Sequence, residues 1–141
     1  MSSHIREPEN LSLEHVLAFC YLYFSKETDG SLDEQELQTM GLRVGEWIGQ
    51  PADSAVVRKA MSDAELWYTS CNHDERNHAI RYFVNRFNDV LKAHHREAII
   101  ADLFAIASAD GTVSENEARL LNSLAEGLQV DFRVARSSTN G

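Results

Sequence analysis

One turn is written twice in this chain, 81 residues apart. Asp29-Gly30-Ser31-Leu32-Asp33-x-x-Glu36 aligns position by position with Asp110-Gly111-Thr112-Val113-Ser114-x-x-Glu117. Aspartate, glycine, a small hydroxyl, an apolar residue, a helix-capping residue and a glutamate recur in that order. An apolar helical pattern enters each turn and another leaves it, so each copy reads as a helical hairpin. Glycine permits a positive φ in the turn, and the cap with its glutamate three residues on satisfies the free amides of the following helix. A fold for this chain must therefore accommodate two similar hairpins.

The remaining periodicity is also helical. A first helix is expected from about Leu11 to Ser25, with Leu13, Val16, Leu17, Cys20, Tyr21 and Phe24 on one broad stripe. A second follows the cap at Asp33 to about Trp47, with Leu37, Met40, Leu42, Val44 and Ile48 inward, although Gly41 and Gly45 weaken its interior. Gly49 to Ser54 reads as a loop and Val56 to Ala60 as a short helical piece. Ser62-Asp63-Ala64-Glu65 then caps a helix carrying Leu66, Trp67 and Tyr68. Asp74 to Lys92 is the most regular stripe, with Ile80, Phe83, Val84, Phe87 and Leu91. Arg96 to Ala107 buries Ile99, Ile100, Leu103, Phe104 and Ile106, and the helix capped at Ser114 presents Leu121, Leu124 and Ala125 and ends at Gly127. Val130 to Val134 adds a short terminal turn. No segment alternates, which predicts an all-α, single compact domain of about seven helices. Residues 1–10 and 137–141 are expected to be flexible ends around a domain spanning 11–136.

Composition narrows the function. With 141 residues the chain can bury one sizeable core. Its formal net charge of -9 disfavours nucleic acid, whose phosphates need basic side chains, and permits a cation or a basic protein surface. Cys20 and Cys71 lack metal-site or redox-motif spacing and read as free thiols of a cytoplasmic protein. No apolar run is long enough to span a membrane.

Chemistry concentrates at the acidic turns. A calcium loop needs oxygen ligands before and after its glycine; the second turn places Ile106 at the first ligand position, so it is no ordinary calcium loop. If an internal two-fold brings the hairpins together, Asp29, Glu36, Asp110 and Glu117 form a shared patch. Four adjacent carboxylates repel unless a cation or a proton neutralises them. A divalent cation (calcium, magnesium, manganese or zinc) is the candidate cofactor and these four residues its candidate ligands.

Other constellations are weaker. Glu75-x-x-His78 lacks the second pair a diiron bundle needs, Asp74 and His78 read as a surface or capping pair, and His94-His95 marks a helix junction. Cys20 with His15, five residues apart, has a poor angle for a catalytic dyad, and Cys71 with His73 has no positioned third group to complete a nucleophile.

At Ala105-Ile106-Ala107-Ser108-Ala109-Asp110-Gly111-Thr112-Val113-Ser114-Glu115-Asn116-Glu117 the chain resembles the TerB-like family, comprising the tellurite resistance TerB proteins and the N-terminal domain of DjlA co-chaperones. The first copy departs from that motif at Ser25-Lys26-Glu27-Thr28, where small residues are usual. The resemblance covers about Leu11 to Leu128. It implies a helical domain of two similar halves, a stress-response or membrane-associated scaffolding role, and a metal-binding role for the acidic positions. The expected function is thus a non-catalytic stress-response-type binding or scaffold domain with a protein partner, in which a divalent cation and homo-oligomer formation are left open. The alternatives are a metal-assisted hydrolase using the same carboxylates and a metal-free protein interaction module.

Overall fold

A computed structural model describes residues 7–8, 11–29, 33–109 and 111–134. Six helices account for most of them: α1 (Leu13–Asp29), α2 (Glu34–Ile48), α3 (Ala55–Ser70), α4 (His73–Val90), α5 (Ala93–Ala107) and α6 (Glu115–Gly127). No strand occurs among the described residues. The fold is all-α, as the missing alternation predicted.

The central helix is α1. Leu17, Ala18, Phe19, Tyr21, Leu22, Phe24 and Ser25 are all buried, so it is covered on every side rather than along one stripe. It packs against each of the other five helices, most extensively against α3. Phe19 meets Trp67 of α3 with ring centroids 4.2 Å apart and Phe83 of α4 edge-on at 6.1 Å. These aromatic contacts fasten α3 and α4 to the central helix.

The two hairpins, α1–α2 and α5–α6, pack reciprocally: α1 lies against α6 as α2 lies against α5, and α1 meets α5 directly. This exchange is what an internal two-fold produces. The interior residues correspond as well, since Glu36, Met40 and Val44 of α2 and Glu117, Leu121 and Ala125 of α6 are all buried, each pair separated by the spacing of the turns.

Two expected helices are one. Although Ser62-Asp63-Ala64-Glu65 has a capping pattern, α3 runs through it and is capped instead at Ser54, whose hydroxyl accepts the Val57 N–H at 3.2 Å. Ala60, Ala64, Trp67 and Tyr68 need continuous helix to share one buried face. Further differences are local. Helix α1 extends beyond Ser25 to Asp29, and α5 begins before the two histidines rather than after them. Leu37, Leu42 and Phe104, expected inward, are exposed. Phe104 meets Phe132 edge-on at 5.9 Å, where residues 131–134 run as irregular chain rather than as a helical turn. Asn122 holds that segment by accepting the Val134 N–H at 2.7 Å. The expected flexible ends lie mostly outside the described residues.

Gly41 and Gly45 do not interrupt α2. Gly45 is where the following loop crosses the helix: its carbonyl accepts the Gln50 N–H at 2.9 Å, and a Cβ at this position would sit 2.3 Å from the Gln50 carbonyl oxygen. Gly49 provides the left-handed cap that reverses the chain, with φ 69°. At Gly41 a Cβ would meet nothing closer than 3.9 Å. Gly45→Ala is therefore expected to lower the unfolding free energy by about 2 kcal/mol or more, since backbone must move. Gly41→Ala is expected to raise it by about 0.5–1 kcal/mol through helix propensity alone. Urea unfolding of the two variants beside the wild type checks both signs.

Candidate functional site

At each duplicated turn the capping pattern closes as predicted. The Asp33 carboxylate accepts the Glu36 N–H at 2.7 Å, and Glu36 reaches back to the Asp33 N–H at 3.2 Å. Ser114 and Glu117 repeat the arrangement at 3.1 and 2.8 Å. Both glutamates are buried, at 3% and 4% exposure. Burial of a carboxylate is costly, and the positive end of the helix together with the cap amide offsets it. Gly111 adopts φ 100°, the conformation the turn requires of a glycine.

Asp29 is the last residue of α1, but its side chain, together with Gly30, Ser31, Leu32 and Asp110, lies outside the described residues. Among the described residues no three histidine, cysteine, aspartate or glutamate side chains gather in a group able to hold a metal. Of the four candidate ligands, the structure thus describes the side chains of Glu36 and Glu117, each buried and committed through one oxygen to its own cap. An all-oxygen donor set suits a hard cation such as calcium, magnesium or manganese better than zinc.

Between the hairpins lies a buried polar centre that the sequence reading passed over. Asp102 of α5 is 5% exposed amid the apolar stripe of Ile99, Ile100, Leu103 and Ile106. Its Oδ2 accepts the Tyr21 hydroxyl at 2.5 Å and the Trp47 indole N–H at 2.8 Å, while Arg43 stands 3.6 Å from Oδ1. Tyr21 and Asp102 are 81 residues apart, the offset of the two turns. They are equivalent positions of the two halves, and their bond marks the internal two-fold. Burial raises the Asp102 carboxyl above its ordinary range, outweighing the opposing pull of Tyr21, Trp47 and Arg43. Burial and the Asp102 charge raise the Tyr21 phenol well above its own. Reading the 81-residue offset beyond the turns would have found this pair.

A second polar clip joins α1 to α3. His15 receives the Ser12 hydroxyl at Nδ1 at 2.8 Å, and its Nε2 meets Asp63 at 3.0 Å. The hydrogen bond from His15 holds Asp63 below the usual carboxylate range. Tyr68 donates to Glu27 at 3.0 Å and lies under the Arg76 guanidinium, 4.1 Å from the ring centroid. Both clips tie α1 to helices that the duplication does not include.

The remaining sequence candidates have structural roles. Glu75 closes the cap of α4 by accepting the Asn72 N–H at 2.7 Å. His73 pairs with Glu27 at 3.6 Å. His94 and His95 lie at the start of α5 with ring centroids 4.1 Å apart, and His95 also faces Trp47 at 5.9 Å. Both thiols are free. Burial pushes Cys20 up to about 12, and burial followed by the charge of Glu75 raises Cys71, so neither is a thiolate at neutral pH. No helix of the described residues is long and apolar enough to cross a membrane.

Comparison with known families gives one match: the family model described as tellurite resistance protein TerB matches residues 16–137. No curated protein and no solved structure matches the chain.

The Asp102 centre generates a test of the fold's dependence on it. Asp102→Ala is expected to cost about 3 kcal/mol, because the Tyr21 hydroxyl and Trp47 indole lose their acceptor inside the core and Arg43 keeps only Glu46 of its two carboxylate neighbours. Asp102→Asn isolates the ionisation. A folded-state pKa above the unfolded value means stability from proton uptake that is complete below the ordinary carboxylate range and lost as pH rises through the raised value. The wild type should therefore gain stability relative to Asp102→Asn as pH falls from neutrality toward that range. Thermal melts of both proteins across this interval measure the difference.

Proposed function

The chain belongs to the family of the tellurite resistance protein TerB, and from that premise we propose that it is a non-catalytic binding or scaffold domain of the stress-response type. It holds a protein partner, and a divalent cation binds at its paired acidic turns. Asp29 and Asp110 are the proposed carboxylate ligands, while Glu36 and Glu117 cap the helices that follow the turns. The observation that supports the reading is the like construction of the two helix caps that follow the turns: the glutamates at equivalent positions are both buried, at 3% and 4% exposure, and both close a cap. A turn that only changed chain direction needs no buried charge, and an exposed cap glutamate would serve it.

Calorimetric titration with calcium, magnesium, manganese and zinc chlorides tests the cation. One saturable site per chain is expected for the hard cations, weakened by about tenfold or more when Asp29 and Asp110 are both changed to Asn, since each removes an anionic oxygen ligand. Absence of saturable heat at millimolar concentration of every ion would overturn the cation's place in this function.

A further inference from the structure

On the α3–α4 side of the molecule, remote in sequence from both acidic turns, lies a cleft of about 540 Å³. We propose that it binds a small organic cation, an ammonium group carried on an aromatic or alkyl body. Its volume is that of a small-molecule site, and its two kinds of wall match the two parts of such a ligand.

The floor is aromatic. Trp67 and Phe83 are buried, at 3% and 6% exposure, and meet edge to face with centroids 5.7 Å apart. Tyr82, 58% exposed, extends the surface at 5.7 Å from Phe83 and offers its ring to a ligand. Ring faces attract cations, and the apolar area takes the ligand's body.

The rim is acidic. Glu7, Asp74 and Glu75 line the cleft together with one histidine, His78, and no lysine or arginine is among its described lining residues. The nearby Arg76 is engaged elsewhere, donating from Nε to the Tyr68 carbonyl at 3.0 Å and stacking on that ring. Glu75 is fixed in place by its bond to the Asn72 N–H. The Cys71 thiol on the same wall is raised by burial first and then by the charge of Glu75, against the opposing charge of Arg76 and a hydrogen bond with Ser70, with Glu7 a smaller raising influence. An anion entering this cleft would meet repulsion, whereas a cation would exchange water for three carboxylates and an aromatic floor.

Titration of the full chain with 2-phenylethylammonium, 2-phenylethanol and 3-phenylpropionate, followed by the indole N–H resonance of Trp67, tests the proposal. The ammonium compound should bind saturably, the alcohol about tenfold more weakly, and the carboxylate not at all, because only the charge differs in kind. Glu7→Gln, outside every helix, and Asp74→Asn should each weaken the ammonium compound by about threefold, while Glu34→Gln, in the first turn of α2, should leave it unchanged. Unaltered melting temperatures exclude a folding effect. Equal affinity for alcohol and ammonium, an ammonium affinity insensitive to Glu7 and Asp74, or no saturable shift of Trp67 at millimolar ligand would each overturn the proposal. None of these readouts depends on the cation titration at the acidic turns, so the two readings fail separately.

Discussion

The carboxylate of Asp102 is the point on which the arrangement of the helices turns. A charged group inside a stripe of isoleucine and leucine is tolerated only where donors reach it, and here they come from both helices of the other hairpin: the Tyr21 hydroxyl from α1 and the Trp47 indole from α2. Apolar packing alone would allow α5 to slide along α1 at modest cost. Three groups meeting one carboxylate do not allow it. In each hairpin the cap of the second helix follows twelve residues beyond this contact, Asp33 after Tyr21 and Ser114 after Asp102.

The duplication, and with it the hairpin architecture, was legible because capping chemistry is local. Asp33 with Glu36 and Ser114 with Glu117 need only the first turn of their own helices, and both behave as their spacing implies. The same logic misled at Ser62, where an equally good capping pattern lies inside α3; burial of Ala60 and Ala64 against the central helix outweighs a cap worth about 1 kcal/mol. Leu37 and Leu42 show a related limit, since periodicity identifies apolar residues but not how wide a face the neighbours cover. Asp102 was hidden for a different reason. A lone aspartate in a helix reads as solvent-facing, and its partners are 55 and 81 residues away. Of the four carboxylates picked out as ligands, the buried cap glutamates were readable as caps, while their depth in the structure was not.

The two halves of the molecule carry different chemistry. The hairpins repeat one another and hold their anionic side chains at caps and at the two-fold. Helices α3 and α4, inserted between them in the chain, have no counterpart in the repeat and supply the aromatic floor of the cleft, the Asp63 end of the clip to His15 and the Tyr68–Arg76 stack. The TerB family match spans both parts, so the repeated frame and the inserted pair form one unit. The residues of the acidic turns and those that line the cleft do not overlap.

The Tyr21–Asp102 bond also bears on how the chain avoids assembling incorrectly. Equivalent positions beside a two-fold face each other, so two copies of the first hairpin would set phenol against phenol there, and two copies of the second would bury a pair of facing carboxylates. Only the unlike combination supplies one proton donor and one acceptor. The halves resemble each other enough to share a frame, yet this single divergence makes each a poor mate for its own kind, which favours closure within one chain over clumping of identical hairpins while the protein folds.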